Sequence, residues 1–220
     1  NPITNDTTQN LTLYVSVTDA DGNATKNITN WYRNGGLQQL LNLPFEGGSN
    51  GSFTREYAQG LNATQANISK YPTWNATAGI DGFGAYRVNG YNNYLDTVSA
   101  SSLAYRGGNA SWTVWVRPNE TGNGFILSAP WNSAGEYNYR IRYLAATEQI
   151  EGILAGNESY SLTTSASSVA NNAWHFIGMT ADSSRNLKIY VDGALITSAV
   201  HNLTNWTPAV GGDVVSVVIG

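Results

Sequence analysis

A period of two runs through most of this chain. In ASWTVWVR (110–117) Trp112, Val114 and Val116 share one face, and in NLKIYVDG (186–193) Leu187, Ile189 and Val191 do the same. Side chains that alternate in this way belong to strands with one face in a core, because successive Cβ atoms of an extended chain point to opposite sides. Comparable runs recur at short intervals over 84–89, 92–98, 110–117, 124–129, 136–144, 148–155, 158–164, 173–181, 186–192, 194–200 and 213–219. The last of them, VVSVVI (214–219), is almost wholly β-branched and reads as a buried strand. Asp192-Gly193 lies between two such runs and suits a two-residue type I′ hairpin turn. No apolar stripe at helical spacing has convincing length, and GGLQQLL (35–41) offers one short turn at most. The pattern predicts an all-β protein, an antiparallel jelly-roll β-sandwich.

Upstream of these runs, NLTLYVSVT (10–18) alternates cleanly, with Leu11, Leu13, Val15 and Val17 on one face. DADGN (19–23) reads as a turn, KNITNWYRNG (26–35) as a second strand and LQQLLNLPFE (37–46) as a third. Residues 47–82, rich in Gly, Asn and Thr, read as a long irregular surface excursion. Two parts follow: an N-terminal strand or hairpin extension over 1–36, and a sandwich over 37–220.

Composition narrows the partners. A net charge of -4 with only three Lys supplies no basic patch, which argues against nucleic acid. No stretch approaches the roughly 20 apolar residues of a membrane-spanning helix. Cysteine is absent, which removes disulfides, thiolate metal sites and a Cys nucleophile together. The chain opens on Asn1 without a signal peptide, as a processed product or a fragment does.

Glycosylation sequons are abundant. Asn-X-Ser/Thr occurs at Asn5, Asn10, Asn23, Asn27, Asn50, Asn62, Asn67, Asn75, Asn109, Asn119, Asn157, Asn202 and Asn205. That is 13 of 26 Asn, where 40 Ser and Thr in 220 residues give about five by chance. The excess predicts covalent N-glycans and an extracellular, cell-surface setting.

Four stretches resemble the laminin G-like, concanavalin A-like lectin/glucanase superfamily: LNLPFEGG (41–48), GIDGFGAYRVNGYNNYLDT (79–97), ASWTVWVRPNE (110–120) and AWHFIGMTADSSRNLKIYVDGALITSA (173–199). The resemblance covers about residues 39–219 and implies two curved antiparallel sheets. It also implies one more strand after the final Ile-Gly, beside the opening strand; this sequence lacks it. Residues 1–36 are additional, and VTDADGN…NWYRNG resembles part of an immunoglobulin-like repeat found before such domains in microbial, archaeal-type surface proteins. On this reading Trp174 and Phe176 are large aromatic core anchors.

Some superfamily members hydrolyse glycans with carboxylates that share one strand face. Glu148 and Glu151 stand three apart and point to opposite faces, so no hydrolase is expected. His175, inside the Trp-His stretch, has a packing or edge role, and His201 has no catalytic motif beside it. Asp19, Asp21 and Asn23 are closely spaced hard-oxygen ligands, a weak calcium candidate that a plain turn explains as well. Otherwise no metal or cofactor is expected. Trp74, Trp131 and Trp206 lie in polar, loop-like contexts and could stack on external glycans.

A sandwich with a missing last strand and a surplus first one predicts strand donation. Leu11, Leu13, Val15 and Val17 would fill a neighbour's groove, and copies joined head to tail would form a filament. The alternative is a carbohydrate-binding module of a larger surface protein.

Overall fold

The structure is a computed structural model that describes residues 13–89, 92–105, 108–119, 122–130, 137–155, 159–201 and 217–220. Its strands are β1 (Tyr32–Arg33), β2 (Gly36–Leu37), β3 (Phe53–Thr54), β4 (Ala63–Thr64), β5 (Thr73–Asn75), β6 (Ala85–Arg87), β7 (Leu95–Thr97) and β8 (Ala110–Val116). They continue as β9 (Gly124–Pro130), β10 (Tyr137–Leu144), β11 (Gln149–Ala155), β12 (Ser159–Thr163), β13 (His175–Ala181), β14 (Asn186–Val191), β15 (Ala194–Val200) and β16 (Val218–Ile219). An eight-stranded sheet of order β12-β11-β10-β9-β16-β7-β4-β3 faces a four-stranded sheet of order β15-β14-β13-β8, and all pairings are antiparallel. Two small hairpins, β1-β2 and β5-β6, lie outside them. The all-β sandwich read from the sequence is the fold.

The core lies between the sheets. Tyr139, Ile141 and Tyr143 of β10 and Ile150 and Leu154 of β11 meet Ile177 and Met179 of β13 and Leu187, Ile189 and Val191 of β14. Trp112, Val114 and Val116 pack against them, the inward face that their alternation predicts. The rings of Trp112 and Tyr139 are 4.8 Å apart, and burial pushes the Tyr139 hydroxyl up to about 12.

Four expectations are corrected. Residues 13–18 form no strand, because nothing among the described residues pairs with them and an isolated alternating run gains no ladder. The strands expected over 26–35 and 37–46 shrink to β1 and β2, each two residues long. Residues 47–82 are more than a surface excursion: β3 and β4 extend the large sheet, and Thr54 and Ala63 are fully buried. Finally, β16 has neighbours on both edges, Val218 opposite Asp96 of β7 and Ser128 of β9. Along its described residues β16 therefore has no vacant edge, and its ladder is completed from within the chain. Residues 202–216 lie outside the described residues.

The N-terminal segment docks in cis. Lys26 Nζ lies 3.0 Å from Asp81, 3.7 Å from Glu46 and 5.4 Å from the Phe83 ring centroid. Asn42 Nδ2 donates to Thr29 O and Asn30 Oδ1. Below this contact the buried Glu56 carboxylate gathers the backbone N–H groups of Asn42, Ala58, Gln59, Gly60 and Leu61. The LNLPFEGG and GIDGFGAYR stretches also meet: Gly84 N donates to Glu46, Trp74 Nε1 donates to Phe45 O, and the Phe45 and Tyr86 rings stand edge to face at 5.1 Å.

Candidate functional site

Strands with one face in a core must present the other face outward, so the outer face of the four-stranded sheet follows from the alternation. Three cross-strand ranks can be read from the register. Ser111, Thr180, Lys188 and Ser198 make a polar rank. Thr113, Gly178, Tyr190 and Leu195 make the next. Trp115 and Phe176 make the third, their ring centroids 5.3 Å apart and their planes tilted by 50°. Trp115 is 47% exposed. A Cβ at Gly178 would stand in ordinary contact with Tyr190, 3.6 Å from its Cβ. The result is an outward aromatic surface, exposed at Trp115 and half-buried at Phe176 and Tyr190, bordered by hydroxyls and one ammonium group. Aromatic faces take up the C–H faces of other molecules, and the bordering groups offer hydrogen bonds.

The turn at the end of this surface fixes its outer rank. Asp192 and Gly193 both have positive φ, 51° and 84°, as a type I′ turn requires. Asp192 Oδ1 accepts from Phe176 N at 2.8 Å, Asp192 N donates to Phe176 O at 2.9 Å, and Oδ2 lies 2.8 Å from His175 Nδ1. Burial opposes ionisation of Asp192, yet the Phe176 N–H and His175 together hold its carboxyl below the usual range. His175, for which the sequence offered a packing or an edge role, is largely buried and locks the hairpin to the start of β13.

Across the sandwich, the outer face of the eight-stranded sheet carries charge. Arg142 and Glu151 are cross-strand partners and form an ion pair at 2.6 Å. The Arg140 guanidinium lies 5.4 Å from the Phe125 ring centroid. Glu148 sits in the β10–β11 turn at φ 51° and accepts from Asn171 N. The two glutamates therefore serve different local structures.

The residues singled out in the sequence fare unequally. Trp74 is half-buried, and its indole N–H donates to Phe45 O beside Gly84. Trp131 and Trp206 lie outside the described residues, as do Asn5, Asn10, Leu11, Asn157, Asn202 and Asn205. Asp19 Oδ1 accepts from Asp21 N, Asn23 N and Asn23 Nδ2, which closes the DADGN turn on itself. Among the described residues no three His, Cys, Asp or Glu gather as a metal site. Leu13, Val15 and Val17 are exposed. Phe176, expected in the core, lies outward with Trp115, because its register alternates with the buried Ile177. Trp115 and Tyr190 were missed. Trp115 alternates with Trp112 and Val114, so its outward position was legible in SWTVWVR.

The family described as the concanavalin A-like lectin/glucanases superfamily matches residues 89–220. Among solved structures, the ligand-binding domain of botulinum neurotoxin serotype D, in complex with N-acetylneuraminic acid, is similar at 17% identity and TM-score 0.55, covering 76% of this chain and 40% of that one. The binding domain of Paraclostridial Mosquitocidal Protein 1 is similar at 12% identity and TM-score 0.55, covering 75% and 44%. A Ruminococcus gnavus IT-sialidase CBM40 bound to α2,3-sialyllactose reaches 15% identity and TM-score 0.44, covering 51% and 63%. The chain thus spans less than two thirds of each of these structures, and at such identities the likeness is one of fold. No curated protein sequence matches the chain. With both sheets, their order and the matched 89–220 segment in place, the chain belongs to the concanavalin A-like lectin/glucanases superfamily.

Proposed function

We propose that this chain is a carbohydrate-binding module of an extracellular surface protein, and that it binds its ligand without turning it over. The observation that carries this reading is the outward Trp115–Phe176 surface, continued by Tyr190 and flanked by Thr113, Thr180 and Lys188. Flat aromatic faces beside hydroxyl and ammonium donors suit a pyranose, which presents C–H groups on one side and hydroxyls around its rim. Such an aromatic cluster need not be catalytic, and Glu151 is already paired with Arg142. The extracellular setting is supported by the sequon density; no helix among the described residues is long and apolar enough to cross a membrane.

A glycan array that includes acidic sugars tests the reading; the neurotoxin domain's N-acetylneuraminic acid makes sialylated glycans the first to try. Replacing Trp115→Ala should weaken binding by about tenfold or more with the fold intact, the loss typical of removing an aromatic anchor. Unchanged binding would move the site elsewhere, and no binding by the parent to any sugar would overturn the reading.

A second reading is self-assembly by strand donation. It is supported by one observation: Leu13, Val15 and Val17 are exposed on a segment that pairs with no strand among the described residues. The acceptor would be an outer edge such as β3, β12, β8 or β15. Replacing Leu13 and Val15 by Asp should abolish polymers seen by electron microscopy while leaving the sandwich monomeric and soluble. Polymers that persist would end this reading.

A further inference from the structure

The asparagines of eight sequons fall among the described residues, and their local geometries differ. Three share one arrangement. Asn50 Oδ1 accepts from both Ser52 N and Ser52 Oγ at 2.9 Å. Asn67 Oδ1 accepts from Ser69 N at 3.0 Å and Ser69 Oγ at 2.8 Å. Asn75 Oδ1 accepts from Thr77 N at 2.9 Å and Thr77 Oγ1 at 3.3 Å. All three asparagines are exposed. In each, the amide oxygen turns in toward the sequon's own hydroxyl residue, and among the described residues no hydrogen bond engages the amide nitrogen.

We propose that Asn50, Asn67 and Asn75 are the principal N-glycan acceptors among these eight sequons, and that their sugars screen the β3 edge of the large sheet. The proposal rests on the reading of the chain as an extracellular glycoprotein. The co-reactant is a lipid-phosphate-linked oligosaccharide. The Asn Nδ2–C1 bond forms, the anomeric C–O bond to phosphate breaks, the phosphate leaves with the electron pair, and the amide gives up one proton. The product keeps Oδ1, so both native hydrogen bonds of each turn survive modification.

The other sequons lack this freedom or this order. Asn23 Nδ2 already faces Asp19 Oδ1. Asn62 is half-buried beside the fully buried Ala63, its Oδ1 taken by Glu56 N. Asn109 Oδ1 receives Ser183 N from another segment rather than its own Ser111. Asn27 is exposed, with no such turn among the hydrogen bonds of the described residues; Asn119 is exposed, and the rest of its sequon, Glu120 and Thr121, lies outside the described residues.

The three acceptors also lie around one corner. Asn50 N donates to Phe53 O of β3, and the Tyr86 hydroxyl is 2.7 Å from both Asn50 O and Phe53 O. Tyr86 pairs with Trp74, next to Asn75, while Gly51 packs against Tyr71 and Pro72, just beyond Asn67 and its 3₁₀ turn. β3 ends the eight-stranded sheet there. An unpaired strand edge invites edge-to-edge association, and bulky sugars are one way to block it. By contrast, residues 159–201, which form three of the four strands of the aromatic face, contain no sequon.

Site-resolved glycopeptide mass spectrometry of the protein secreted by a glycosylating host tests the assignment. Occupancy at Asn50, Asn67 and Asn75 should exceed that at Asn23, Asn62 and Asn109 several-fold. Equal occupancy at all six, or none at the three, overturns it. Screening is tested on the folded glycoprotein by trimming its sugars with an endoglycosidase and measuring light scattering at fixed concentration. Self-association should rise several-fold on trimming, and unchanged scattering would overturn the screening role. Trimming follows folding, so misfolding cannot mimic the result. Glycan-array binding by the same trimmed protein reads the Trp115 face separately, so failure of one reading is distinguishable from failure of the other.

Discussion

Single side chains decide how the long 47–82 segment is held. Glu56 is 3% exposed and receives five backbone N–H groups, from Asn42 on one side and the 58–61 loop on the other. Replacing Glu56→Gln puts an amide donor against some of those donors and should cost about 3 kcal/mol in a denaturation experiment. Glycine positions separate in the same way. A Cβ on Gly84 would meet Phe45 O at 2.4 Å and Trp74 Nε1 at 2.9 Å, whereas one on Gly152 would meet the flexible end of Met179 at 2.7 Å. Gly84→Ala should therefore destabilise the fold by more than Gly152→Ala, for which overpacking of about 1–3 kcal/mol is expected. Buried His201 responds to pH. Burial, and then the Arg185 charge, hold its imidazole below the ordinary 6.5. The unfolded chain then binds a proton that the folded chain does not, so this contribution is whole above about pH 6.5 and is lost as pH falls below it. The thermal midpoint should fall on acidification from about pH 7 to about pH 5, and His201→Gln should flatten that slope.

Among the elements, the β14–β15 hairpin and β16 do most to set the architecture. The hairpin was legible because Asp192-Gly193 combines a residue tolerant of positive φ with one that favours it. Its contacts to His175 and Phe176 were not legible, since they join groups 16 and 17 positions apart through the register of β13 with β14. β16 is only two residues long, yet it joins the β12–β9 and β7–β3 halves of the large sheet. Thr97 N donates to Val217 O, Val217 N donates to Thr97 Oγ1, and Gly220 N donates to Ile126 O. Val218→Pro would remove a ladder donor from a central strand and should cost about 3 kcal/mol or more. Hydrogen exchange should then show β7 and β4 losing protection before β13 and β14 do. Equal protection across both sheets would mean that β16 is not the joint.

On the scale of the whole molecule the two outer faces differ in chemistry. One carries the Arg142–Glu151 pair and Arg140, the other Trp115, Phe176 and Tyr190. Binding at the aromatic face should be little changed by salt, because its contacts are mostly uncharged, whereas capture by the arginine face would weaken as ionic strength rises. Titration of a glycan bound by the parent protein, at low and at high salt, separates the two.

The sequence by itself determined the fold class and most strand positions from β8 to β15. Alternation fixes which side chains can share a face, and burial of one face then leaves little choice. It also marked the Asp192-Gly193 turn and the resemblance carried by four short stretches. Only the tertiary structure decided that β3 and β4 belong to the large sheet, because two-residue strands in a Gly- and Asn-rich segment leave no periodic trace. Likewise, whether β16 had neighbours, whether Lys26 docked in cis and whether Phe176 faced Trp115 or the core depended on register between segments far apart in the chain. Register is set by partners rather than by local sequence, so a one-residue difference moves a side chain from core to surface.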